Sequence, residues 1–564
     1  MRFSIILSSL RDCKPHNSQH GSRYKREVHS LYSTTAQVKR ITFYFLLLIL
    51  LSACASPTPA APYFPTFILI TQDPNASPTP TPFQPSDQVN TPLPTFTQAP
   101  LESATPTVTL APSPTLTFTP QPPTPIVDPA ATTVLPPVNP TRTNYIIYAT
   151  LDFDAHTLDV DETMRYYNNT GIPLSDIVLS VQPNQYSGVF NLSAVFQDNV
   201  ELTTYSLSGQ SLTLNLPQAL PPGAATTLGI KFKLDIPAKS STGIFGYDFN
   251  QINLVDWYPF VVPREAISGW VLHDPMPFGE HLVYDASDIE LNLKTDSDVI
   301  VAASAPSTQN GEWMNYRLYG ARTFALSASD EFLVSESAVG TVVIRSYYFD
   351  GYQAAGESIL YSAVQAVSIY SAKFAPYPYE TLAVVETDIH DGQEYDGLVF
   401  LASDFYGQYG GGAKNNLTTI GIHEIAHQWW FGLVGNDQAL EPWLDEAMSA
   451  YSERIFYEYN YPRYGDWWWQ YRVDYFGASG YVDTTIYNGG SFRTYTNAVY
   501  LNGAHFMEDL RVRMGDDDFF RFLKDYASRY SRGRATSYDF FNVVRQNTTA
   551  DISDLMAEYF SGSY

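Results

Sequence analysis

The sequence predicts a multidomain α+β chain, in which an N-terminal β-sandwich-like domain is followed by a mainly helical domain with a small sheet. Three observations lead there. At 564 residues the chain is too long for a single core. Apolar residues recur with period two from Asn144 to about Arg345. From about Ser346 they recur at helical spacing instead.

The first 140 or so residues read as address and tether. Lys39 and Arg40 precede the apolar run Ile41 to Leu51, and Leu51-Ser52-Ala53-Cys54 follows. A basic flank, a short apolar stretch and small residues form an export signal, and the run is short for a membrane span. The four residues ending at Cys54 resemble a bacterial lipobox, which implies a lipidated Cys54 and a membrane-anchored, extracytoplasmic protein. The polar stretch Met1 to Val38 is longer than a usual signal flank, so translation is expected to start further downstream. Residues 1–55 are thus export signal and lipobox. Residues 56–143 hold more than half of the 39 prolines among Thr, Ser and Ala, too little apolar surface to offset ordering entropy, and read as an extended linker.

Residues 144–345 form the expected β-rich domain. Tyr145 to Phe153, Thr163 to Tyr167, Leu212 to Leu216 and Ile289 to Leu293 read as strands, with Asn168-Asn169-Thr170-Gly171 as a turn. Residues 346–564 form the second domain. Helices are expected over Ser358 to Phe374, Asn415 to Leu433, Pro442 to Tyr457, Asn497 to Arg513, Asp516 to Tyr530 and Ser537 to Gln546, with a strand over Thr381 to Glu386. Ser537 is expected to cap the last helix, and Pro442 suits a first turn. A net charge of −26 repels phosphate backbones and argues against a nucleic-acid partner. The two cysteines, Cys13 and Cys54, offer the second domain neither a disulfide nor a thiolate metal site.

The chemistry concentrates in His423-Glu424-Ile425-Ala426-His427. Histidines at i and i+4 share one helix face and can reach one ion, with Glu424 beside them as a base. Glu446, nineteen positions after His427, lies on the next expected helix beyond a Gly432–Asn436 turn and completes a His, His, Glu set. Such a set suits one Zn²⁺ with an open position for water. Glu453, seven residues further on the same face, could orient a ligand histidine.

With its flanks, Trp429 after His427-Gln428 and Trp443-Leu444-Asp445-Glu446 on the second helix, this pattern resembles the aminopeptidase N family of gluzincins, which includes the leukotriene hydrolases. The spacing H-E-x-x-H-x(18)-E is met without a gap; Asp445 and Ala447 stand where the family has Asn and Gly. The resemblance implies a thermolysin-like catalytic domain and further site residues. Tyr500, in Tyr500-Leu501-Asn502-Gly503-Ala504, matches the tyrosine that donates to the oxyanion, with Asn502 in place of Lys. Glu394, in Gly392-Gln393-Glu394-Tyr395-Asp396-Gly397, matches the glutamate that binds the substrate's α-amine. Gln251, ahead of Trp257-Tyr258-Pro259, stands where the β domain adds a second contact to that amine. The large helical domain that roofs the cleft in many members does not follow here, which implies a more open cleft. The implied activity is zinc-dependent removal of N-terminal residues from peptides with a free amine. A zinc endopeptidase on the same site, and a surface-tethered binding protein with structural zinc, are the other readings. His156, His273, His281, His390, His505 and the Trp429-Trp430 pair are read as structural.

Overall fold

The computed structural model describes residues 141–564 apart from 241 and 242, beginning at the turn that precedes the first strand. Cys13, Cys54, the export signal and nearly all of the linker lie outside the described residues. No helix among the described residues is long and apolar enough to cross a membrane.

The first domain is built on an eight-stranded sheet. Its centre is the run Trp313–Ala321, Ser287–Lys294, Asn144–Asp152, Thr157–Tyr167 and Ala225–Asp235. Asn144–Asp152 pairs parallel with Ser287–Lys294 and antiparallel with Thr157–Tyr167. Alternation of burial along Asn144–Asp152, Thr157–Tyr167 and Ala225–Asp235 turns Ile147, Leu158, Met164, Leu228 and Ile230 inward. There they share one core with Ile177, Leu179, Leu212 and Leu214 of a four-stranded sheet. A second four-stranded sheet, which includes Gln251–Leu254 and Leu326–Ser329, faces the catalytic domain.

The catalytic domain opens with a five-stranded sheet in the order Leu333–Val339, Val342–Tyr348, Thr381–Thr387, Leu398–Ala402, Gly392–Tyr395. The change of period near Ser346 therefore falls inside this sheet. By strand pairing the second domain takes in Leu333–Val339 as well, ahead of the expected boundary at residue 345. The buried helix Gln353–Lys373 links the second strand to the third.

Three local expectations are corrected. The helix carrying the two histidines ends at Ala426, not Leu433. Beyond it the amides of Gly432, Leu433 and Val434 reach back five residues to His427, Gln428 and Trp429, and Phe431 adopts φ 153°. A Cβ at position 432 would lie 2.8 Å from Asp396 Oδ1, so only glycine allows this wide turn. The helix Ser537–Asn547 is capped by Thr536, whose hydroxyl accepts from Asp539 N at 3.3 Å while Asp539 returns the bond. Ser537 is instead buried, its hydroxyl accepting from Trp443 Nε1 at 3.0 Å. Finally, Asn497–Asn502, expected as plain α-helix, is a π-helical turn feeding Gly503–Met514, a wide geometry found often at functional sites.

The domains are joined by polar contacts that leave their groups satisfied. Asp396 Oδ2 accepts from Arg322 N at 2.8 Å, Thr323 N at 2.7 Å and Thr323 Oγ1 at 2.9 Å. Arg322 Nε donates to Phe431 O at 2.6 Å.

One inward position of the sandwich breaks the apolar pattern. Glu162 is fully buried, and neither carboxylate oxygen has a hydrogen-bond partner. Burial pushes its pKa well above the usual range, so the native state holds it neutral. Its native pKa exceeds the unfolded one; stability is therefore full below the unfolded pKa and is lost as pH rises towards the native value. Glu162→Met should raise Tm, by a margin that widens at up to about 1.4 kcal/mol per pH unit above roughly pH 5. Thermal melts from pH 5 to 9 check this, and a margin independent of pH would contradict it.

Candidate metal and catalytic site

The helix Asn416–Ala426 is buried along its length and starts at Asn415, whose side chain accepts from Thr418 N at 2.9 Å. A Cβ at Gly421 would lie 2.4 Å from Ile359 Cδ1, so glycine lets the helix Gln353–Lys373 press against it. The partner helix Trp443–Asn460 follows Pro442. Trp443 anchors its first turn among Phe506, Phe540, Phe541 and Phe560. Asp445 and Glu446 occupy that turn, where unpaired amides favour negative charge.

These two helices bring the expected ligands together. Glu446 Oε2 lies 3.2 Å from His423 Nε2 and 3.5 Å from His427 Nε2. Ligand atoms about 2.0–2.1 Å from a tetrahedral zinc stand about 3.3–3.4 Å apart, so the three positions fit that ion. Both imidazoles are oriented by their other nitrogen. His423 Nδ1 faces Glu453 Oε1 at 2.9 Å, and His427 Nδ1 faces the Trp430 carbonyl at 3.1 Å. Both partners accept, so each Nδ1 carries the proton and each Nε2 lone pair is left for a metal. Burial opposes ionisation of Glu446, but the His423 and His427 imidazoles, when protonated at Nε2, outweigh it and hold its pKa well below the usual range.

Glu453 thus orients a ligand, and its full burial is compensated. Arg472 Nη2 and Nε donate to it at 2.9 and 3.0 Å, and Trp468 Nε1 donates at 2.8 Å. Sequence reasoning missed Arg472 and Trp468; they sit in no motif, and only the fold of residues 465–476 brings them under the helix.

Glu424 lies beside the ligands without joining them. Its carboxylate is within 4.8 Å of the nearest Glu394 and His427 ligand atoms. A Cβ at Gly392 would lie 2.3 Å from Glu424 Oε1, so the edge strand can pass this close only through glycine. Burial raises the Glu424 pKa to about 8, against the lowering pull of the two imidazoles. Tyr500 donates to Glu446 Oε1 at 2.5 Å and stacks on His423 with ring centres 5.9 Å apart. Burial, and then Glu446, push its pKa well above 10, which keeps the hydroxyl a donor.

Glu394 is buried at the end of the edge strand, held by Gln393 Nε2 at 2.7 Å and Gln438 Nε2 at 3.2 Å. Gln251 does not join it, and the expected amine contact there is corrected. Its amide is consumed at the domain junction, donating to Ser327 Oγ at 3.0 Å and Glu386 O at 2.9 Å and accepting from Thr387 Oγ1 at 2.9 Å. The β-domain residue on this side is Glu280, which accepts from Gln393 Nε2 at 3.4 Å. Burial and then Glu394 raise its pKa well above the usual range. Glu280 and Glu394 line a cavity of about 330 Å³ together with Tyr186, Phe245, Phe431 and Gln438. The sequence signal for Glu280 is only Gly279, whose φ of +74° lets the loop lie against Ile486 and Tyr495. His505 is turned away, stacked on Trp469 and bonded to Asp474 at 3.1 Å.

Replacing Glu453 with Gln should weaken zinc binding about 10–100-fold. Competition with a chromogenic chelator measures this, and an unchanged affinity would contradict an orienting role.

Residues 362–559 match the family described as Peptidase family M1 domain. Aminopeptidase M1-B of Oryza sativa subsp. japonica is 24% identical over 245 residues, which cover 41% of this chain and 28% of that protein. Endoplasmic reticulum aminopeptidase 1 of Mus musculus is 26% identical over 159 residues, covering 27% and 17%. The chain spans about a quarter of the length of the curated relatives it matches. The crystal structure of an M1 zinc metallopeptidase from Deinococcus radiodurans superposes with a TM-score of 0.54 at 18% identity, over 75% of this chain and 95% of that one. A mutant of that protein, solved with a Tyr-Ser-Ala substrate, gives the same TM-score of 0.54. The matched residues 362–559 carry His423, His427 and Glu446, so the similarity to a Peptidase family M1 domain falls on the part of the chain that holds the ligand set.

Proposed function

We propose that the protein is a zinc-dependent aminopeptidase. The observation that carries this reading is the placing of Glu394 next to Glu424 and His427, with Glu280 beside Gln393. Burial disfavours charge on both acids, and a free ammonium group beside them would restore it, so the pair suits an amine. The curated relatives named aminopeptidases support the same reading.

His423, His427 and Glu446 would hold the zinc, whose Lewis acidity would make a water easier to deprotonate. Glu424 takes the proton of the attacking water and passes it to the leaving amine. Tyr500, kept protonated by burial, donates to the developing oxyanion. Glu394 and Glu280 fix the N-terminus, so the first peptide bond lies in reach of Glu424.

Glu424→Gln should lower kcat about 10²–10⁴-fold with zinc content unchanged. A kcat unchanged by the substitution would contradict the base role of Glu424, whereas zinc retained by the wild type with no turnover of any peptide would leave the structural-zinc binding protein standing. Glu394→Ala should raise KM for free-amine peptides; equal turnover of N-acetylated and free peptides would favour the endopeptidase.

We further propose that the protein is exported and anchored to a membrane through lipidated Cys54, a reading supported by the Lys39 to Cys54 pattern. Cys54→Ser should move the protein from the membrane to the soluble fraction and abolish fatty-acid labelling; labelling that persists would sink the idea.

A further inference from the structure

Residues 482–487 belong to no helix or strand, yet Val482 and Ile486 are fully buried. This short strap meets both loops that hold the acids of the amine position. On one side, Ile486 N donates to Ala439 O at 3.1 Å. Ala439 directly follows Gln438, whose amide donates to Glu394 at 3.2 Å. On the other side, a Cβ at Gly279, directly before Glu280, would lie 2.5 Å from Ile486 Cγ2. The Tyr487 hydroxyl donates to Asp274 O at 2.8 Å, at the start of the same loop. Glu280 in turn accepts from the Gln393 amide that also holds Glu394.

A segment without a hydrogen-bond ladder of its own opens easily unless other contacts fix it. Here the contact is Asp483. Its carboxylate accepts from Ser561 N at 2.9 Å, Ser561 Oγ at 3.1 Å, Gly562 N at 2.8 Å and Tyr564 Oη at 2.9 Å. Beside it, Val482 N donates to Tyr559 O at 2.8 Å. The gripped segment is itself seated on the core. Phe560 and Tyr564 pack on Phe541, and Phe541 and Phe560 pack on Trp443 at the start of the Glu446 helix.

We propose that Asp483 is a positioning residue for substrate binding. By clamping Ser561–Tyr564 it fixes the strap, and the strap holds Glu280 and Gln438 at the amine position. The inference rests on the aminopeptidase reading above. His423, Glu424, His427 and Glu446 are carried by other elements, so affinity for the amine depends on this clamp and the hydrolytic step does not.

The test uses the zinc-loaded full chain. Asp483→Ala should raise KM for a free-amine tripeptide about tenfold, with kcat and zinc content near those of the wild type. Asp483→Asn, whose amide oxygen still accepts, should recover part of the affinity. Tyr564→Phe removes a single donor and should shift KM the same way by less, which serves if Asp483→Ala does not fold. In a Glu280→Gln background Asp483→Ala should add little, because both changes act on one contact. Fully additive effects, or a parallel loss of kcat and zinc, overturn the proposal. Amide hydrogen exchange reads the clamp without substrate: residues 274–281 and 437–440 should exchange faster in Asp483→Ala. Unchanged exchange there also overturns it. If exchange responds but Glu280→Gln and Glu394→Ala leave KM unmoved, the aminopeptidase reading is what fails.

Discussion

Everything at the site depends on Glu446 reaching the Nε2 atoms of His423 and His427 from a second helix. The acceptors at both Nδ1 atoms make that convergence productive, because they remove the alternative tautomers. Glu453 is the more demanding of the two. A carboxylate with no exposure survives only with full hydrogen bonding, and Arg472 and Trp468 provide it. The small segment from Pro462 to Phe476 therefore works as a brace for one metal ligand.

The β domain does more than support. Its strand Gln251–Leu254 is tied to the end of the third catalytic strand, and Arg322 and Thr323 clamp Asp396. Those ties hold Glu280 against Gln393 and Glu394. Neither domain alone contains the full set of carboxylates around the amine position. The same ties explain why Gln251 is unavailable to a substrate: its amide already has every partner it can use on that side.

Acidic side chains crowd the centre of the cleft. Burial raises the pKa of Glu280, Glu394 and Glu424, whereas the two imidazoles hold that of Glu446 well below the usual range. One end of the site is therefore lined by desolvated acids and the other by a metal-binding carboxylate.

The sequence by itself determined which side chains can share one face of the histidine helix. Spacing of four along a helix puts His423 and His427 on one face whatever surrounds them, and the position of Glu446 follows from one turn and one helix start. The alternation that predicts the sandwich strands is equally local. Only the tertiary structure decided the rest. Gln251 is consumed at the domain junction while Glu280 lies beside Gln393, on a loop packed against Ile486 and Tyr495. The histidine helix ends at Ala426, and beyond it Asp396 and Tyr379 lie close over Gly432. Arg472 gains its meaning from Glu453 on another helix. Periodicity and spacing report contacts within one element; which group is left unpaired, and which is consumed, is settled by what packs against it.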